Sequence, residues 1–87
     1  MAANFDPTLP DSKYLGFNRV KWSGKTWIVD VISKSSGIPL GEIKWWGPWR
    51  QYCFFPGPET LYNPGCLDAI KTTIRVLADE RKGGKID

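Results

Sequence analysis

A chain of 87 residues has room for one domain and one core, and its 41% hydrophobic and 24% charged residues make it globular rather than disordered. A formal net charge of +3 favours anionic partners without requiring nucleic acid. Histidine is absent, which removes the commonest general base, metal ligand and triad member together.

The opening residues, 1–13, carry two prolines and no periodicity and read as a flexible N-terminal arm. They lack the basic start and apolar centre of a signal peptide, and no apolar run in the chain approaches a membrane span. A soluble protein of the cytoplasm, with no membrane partner, is the expectation. From Gly16, GFNRVKW alternates as a strand, with Asn18, Val20 and Trp22 on one side and Arg19 and Lys21 on the other. Ser23-Gly24-Lys25 is a turn. TWIVDVISK, rich in β-branched and aromatic residues, is the strongest strand signal.

Ser35-Ser36-Gly37 suits a three-residue hairpin loop, which pairs Lys34 with Ile38, Val31 with Gly41 and Val29 with Ile43. IPLGEIKWW is the third strand, and WRQYCFF the fourth. A two-residue Gly47-Pro48 turn would set Trp46 opposite Trp49, Trp45 opposite Arg50 and Ile43 opposite Tyr52. PGPETLYNPG is a surface loop. Asn63 then caps a helix with Pro64 at its first position. Leu67, Ile70, Ile74 and Leu77 recur on one stripe of that helix, with Ala78 beside them. Gly83-Gly84 ends it. The expected fold is therefore α+β: one domain over residues 14–83, built as a four-stranded antiparallel β-meander with one amphipathic helix on one face, and a tail at 84–87.

These registers sort the side chains. Val20, Trp22, Trp27, Val29, Val31, Ile43, Trp45, Tyr52 and Phe54 form an apolar face for the helix to cover. The other face gathers Arg19, Lys21, Ile28, Asp30, Ile32, Glu42, Lys44, Trp46, Trp49, Gln51, Cys53 and Phe55. One helix cannot cover both faces. The second face then mixes exposed rings with cations, as a platform for stacked bases does, or it forms the centre of a homodimer. The candidate ligand-binding residues are Arg19, Lys21, Lys44, Trp46, Trp49, Arg50 and Gln51, with Arg50 at the margin between the faces.

The remaining motifs carry little chemistry. SGKT at Ser23–Thr26 matches the end of a phosphate-binding loop, but Arg19 stands where the loop needs glycine, and a strand follows in place of a helix. Asp30 and Glu42 on one face read as an ion lattice with Lys21 and Lys44 rather than an acid–base pair. Cys53 has no histidine to activate it, and Cys66 gains only modest acidity near a helix start. Whether the two cysteines are reduced or bridged stays open. No enzyme, metal or cofactor is expected.

The block Lys44-Trp45, Gly47, Trp49-Arg50, Tyr52, Phe54 and Pro56, with Cys66-Leu67 opening the helix, resembles a family of small uncharacterised proteins encoded by bacteriophages and prophages. The resemblance implies an accessory protein acting in the host bacterial cytoplasm, and it carries no site residues with it. Joined to the surface chemistry, it leads to a non-enzymatic protein that binds a nucleotide or single-stranded nucleic acid, or sequesters a host signalling nucleotide. The alternative is an inhibitor of a host protein, or a homo-oligomer that uses the same face.

Overall fold

The computed structural model describes residues 5–83. Strands β1 (Leu15–Trp22), β2 (Trp27–Ser33), β3 (Pro39–Trp46) and β4 (Gln51–Pro56) form one antiparallel sheet in sequence order, and helix α1 (Pro64–Gly83) follows. The meander arises because each connection is short and rich in turn formers, so consecutive strands pair with one another. Ser23 Oγ accepts the backbone N–H of Lys25 and Thr26 (3.3 and 3.0 Å) around Gly24, whose φ of 97° suits glycine. SGKT is thus a hairpin turn. Asn63 Oδ1 accepts the Cys66 N–H at 2.8 Å and caps the helix as expected.

The helix covers one face of the sheet. Leu15, Phe17, Val29, Val31, Ile43 and Tyr52 from the strands meet Cys66, Ile70, Thr73 and Leu77 from α1, all buried. Each fully buried aliphatic here stabilises the fold by about 1.5–3 kcal/mol relative to exposure. Thr73 reaches the core without stranding its hydroxyl, which donates to the Ala69 carbonyl one turn back at 2.8 Å.

Several expectations are corrected. In β1, Leu15, Phe17 and Arg19 face the helix, while Val20 is half exposed. Val20 is bulged out: the pairing runs Arg19 to Val29, then Lys21 to Ile28, so strict alternation changes phase in mid-strand. The β3–β4 turn spans four residues rather than two. Gly47–Trp49 form a 3-10 turn, Arg50 closes it at φ 54°, and Trp46 opposes Gln51 with Trp45 opposite Tyr52. A register displaced by two keeps every β4 side chain on its expected face, so Tyr52 and Phe54 still point to the helix.

The third correction rotates the helix stripe: Leu67 is 52% exposed, and Cys66 and Thr73 take the buried positions. The fourth concerns the arm. Residues 5–13 pack on the sheet: Leu9 is buried in the core, and the Asp6 N–H donates to the Phe17 carbonyl at 3.0 Å. The ring of Phe5 occupies the space where a side chain at Gly16 would stand, so a larger residue there would have to displace that ring. Residues 1–4 of the expected arm and the expected tail at 84–87 lie outside the described residues.

Between β2 and β3 the pairing follows the expected register at Val29–Ile43 and Val31–Gly41, then slips at Ile32–Pro39. Lys34 does not pair with Ile38; the Ser33 N–H donates to the Ile38 carbonyl in its place, at 3.0 Å. The irregularity falls where Pro39 lacks an N–H to donate.

Candidate ligand-binding surface

Antiparallel topology decides what shares an end of the molecule. The β1–β2 turn, the β3–β4 turn and the last turn of α1 all lie at one end, because the helix starts beside the far ends of the strands and runs back. All five tryptophans of the chain therefore collect there: Trp22, Trp27, Trp45, Trp46 and Trp49. On the helix side, Trp22 leans on Trp27 with ring centroids 5.2 Å apart, and Trp45 meets Tyr52 edge to face. The Tyr52 hydroxyl accepts the backbone N–H of Trp27 at 3.1 Å, tying β4 to β2.

On the opposite side, Trp46 bends back along the sheet to Phe55 (6.1 Å between centroids), and Lys44 Nζ sits 4.7 Å over the Phe55 ring. Trp49, on the turn itself, is 66% exposed, with Trp22 half exposed and Trp46 nearly so. The 3-10 turn explains this exposure: it lifts Trp49 out of the strand, where it would have lain against a neighbour.

The cations divide into two sets. Arg19 is engaged within the fold, although its expected place was on the outer face. Its Nε donates to Asp6 at 2.9 Å, and Nη1 and Nη2 donate to the two carboxylate oxygens of Glu80 at 2.8 and 2.7 Å. Nη2 also reaches the Thr8 hydroxyl at 3.0 Å, and the guanidinium lies over Trp27. This clasp joins the arm, the sheet and the last turn of the helix. Hydrogen bonds from Thr8 and then the charge of Arg19 hold the Asp6 carboxyl below the usual carboxylate range. The Glu80 carboxylate likewise raises the Arg19 guanidinium above its ordinary value.

Among the described residues, Lys21, Lys25, Arg50, Arg81 and Lys82 form no ion pair. They surround the tryptophans, and Arg81 lies 4.1 Å over the Trp45 ring. Of the expected site residues, Lys21, Lys44, Trp46, Trp49, Arg50 and Gln51 are brought to this end or its outer face, and Arg19 is on the other face. Trp22, Lys25, Arg81 and Lys82 complete the surface. That Arg81, near the end of α1, sits beside the turns is decided by the path of the chain and by no local pattern.

The outer face also sets Asp30 directly opposite Glu42. Partial burial, then repulsion from Glu42, pushes the Asp30 carboxyl up. Lys44 approaches Glu42 at 3.9 Å, a loose contact, so the expected ion lattice is only partly formed. Cys53 lies on this face and Cys66 under the helix; both are free thiols on opposite sides of the sheet. No group of metal-binding side chains occurs among the described residues, and no described helix is long and apolar enough to cross a membrane.

Over 72 residues the chain is 43% identical to an uncharacterized 9.3 kDa protein of Acholeplasma phage L2, a match covering 82% of this chain and 92% of that one. No family model matches the chain. No solved structure matches it.

Proposed function

The chain belongs to the family of this small phage protein, and we propose that it binds single-stranded nucleic acid, without catalysis, through its tryptophan-bearing end. The observation that carries the reading is the convergence of exposed Trp22, Trp46 and Trp49 with five cations that no carboxylate neutralises among the described residues. Stacking needs ring faces open to solvent, and backbone phosphates need unpaired cations within reach of the stacked base. Both gather at one end of the molecule, with Trp22 and Arg81 on the helix side, Trp46 on the opposite side and Trp49 on the turn between them. An extended strand fits better than a free nucleotide, because a mononucleotide draws its affinity from a concave site and these rings stand on an open turn.

Fluorescence titration with a short deoxythymidine strand and with mononucleotides tests this. Each base stacked on a ring contributes about 1–3 kcal/mol, so Trp49→Ala should weaken strand binding by roughly tenfold or more. Lys25→Ala should leave the stack intact and reduce the salt slope by about one. Silence toward every strand at low salt would end this reading. A response to mononucleotides alone would transfer it to a sequestered nucleotide.

A further inference from the structure

We propose that Glu80 is a positioning residue for strand binding: gripped by Arg19, it fixes the last turn of α1 so that Arg81 is set to take a phosphate. This role rests on the strand-binding reading and adds how that surface is held. Leu77 is the last buried residue of α1 among those described, and residues 78–82 are partly or fully exposed. A helix end without core contacts frays. Here two side chains tie it down. Glu80 accepts hydrogen bonds from Nη1 and Nη2 of Arg19 on β1 at 2.8 and 2.7 Å, and Arg81 lies 4.1 Å over the Trp45 ring on β3. Consecutive helix residues point about 100° apart. These two anchors, on the strands either side of β2, therefore fix the turn in rotation as well as in place.

Arg19 itself is closed to a ligand. Its side chain is 13% exposed, and four hydrogen bonds, to Asp6, to Thr8 and to both Glu80 oxygens, occupy its fork. The Asp6 and Thr8 contacts aim the far side of the guanidinium at Glu80, so the arm helps to set the end of the helix. Arg81 is the complement. It forms no ion pair among the described residues, and a guanidinium stacked on a ring keeps its edge donors free for a forked phosphate contact. An arginine already held in place gives up less conformational freedom on binding. A carboxylate next to a surface for an anionic strand opposes binding by its charge. Glu80 thus has two opposed effects, and its positioning effect predicts that removing it weakens the complex.

The test is fluorescence titration of the full chain with a short deoxythymidine strand, alongside backbone hydrogen exchange of the free protein. Glu80→Ala keeps helix propensity at its highest and removes both hydrogen bonds. It should weaken strand binding by about three- to tenfold, the cost of ordering a side chain no longer held. It should also speed exchange of the amides at 78–82. Charge alone predicts the opposite, tighter binding. Arg19→Lys, which keeps the charge and loses the fork, should weaken binding in the same direction. In an Arg81→Ala background, Glu80→Ala should bring no further loss, because the two act through one contact. A Glu80→Ala variant that binds as well as the wild type or better overturns the proposal. So does an equal loss in the absence of Arg81, or unchanged exchange at the helix end. A wild type silent toward every strand ends the nucleic-acid reading, and this role with it.

Discussion

Replacing Arg19 by methionine keeps an apolar stem over Trp27 and removes every hydrogen bond of the clasp. The side chain is 13% exposed, its Asp6 partner 18% and its Glu80 partner 43%. Hydrogen bonds to charged groups contribute about 1.5–3 kcal/mol each when sheltered, and the exposure of Glu80 reduces its share toward that of a surface pair. The loss of Asp6 pairing inside the fold dominates, and the sum is about 2–3 kcal/mol. For a domain of this size that lowers Tm by about 10 °C or more.

Urea denaturation at neutral pH and low salt measures the loss, and a double-mutant cycle with Glu80→Gln isolates the helix contact, expected near 1 kcal/mol. The pH dependence has a definite sign. The Asp6 carboxyl titrates lower in the folded chain than its ordinary 3.8. It therefore adds stability above that value, which disappears as pH falls through the lower folded value. The gap between wild type and Arg19→Met should narrow below about pH 4. A neutral-pH difference under about 0.5 kcal/mol would refute the clasp as a structural tie.

Leu77→Ala, at a position 1% exposed, should cost about 2–5 kcal/mol in denaturation, while Leu67→Ala, half exposed, should fall within about 0.5 kcal/mol. The reverse order would mean that the helix is rotated. Asp30→Asn should stabilise the chain at pH 7 by about 0.2–1 kcal/mol, the cost of like charges directly opposite on paired strands. Because the folded Asp30 carboxyl titrates above its ordinary 3.8, ionising it costs stability, and that cost is relieved as pH falls through the folded value. The advantage of Asp30→Asn should therefore vanish in acid; thermal melts at neutral and acid pH would show it.

What the sequence determines by itself is local. The β-branched run at Trp27–Ser33, the turn formers between strands, and the Asn63-Pro64 start of the helix each act within a few residues, and the meander with its helix follows from them. The faces of β2, β3 and β4 were also legible, since a register displaced by two preserves alternation. Three things were settled only by packing. The bulge at Val20 inverts the first half of β1, because Leu15 and Phe17 fill the space under α1 and the Trp22–Trp27 contact is kept beyond it. The helix turns so that Cys66 and Thr73 fit where Leu67 would not, since a hydroxyl that bonds its own backbone is as buriable as a methyl. And Arg19, read as a free cation, is held by Asp6 and Glu80, which lie 13 and 61 residues away along the chain. No local pattern encodes pairs at such separation; they exist only once the arm and the end of the helix are brought to the same strand.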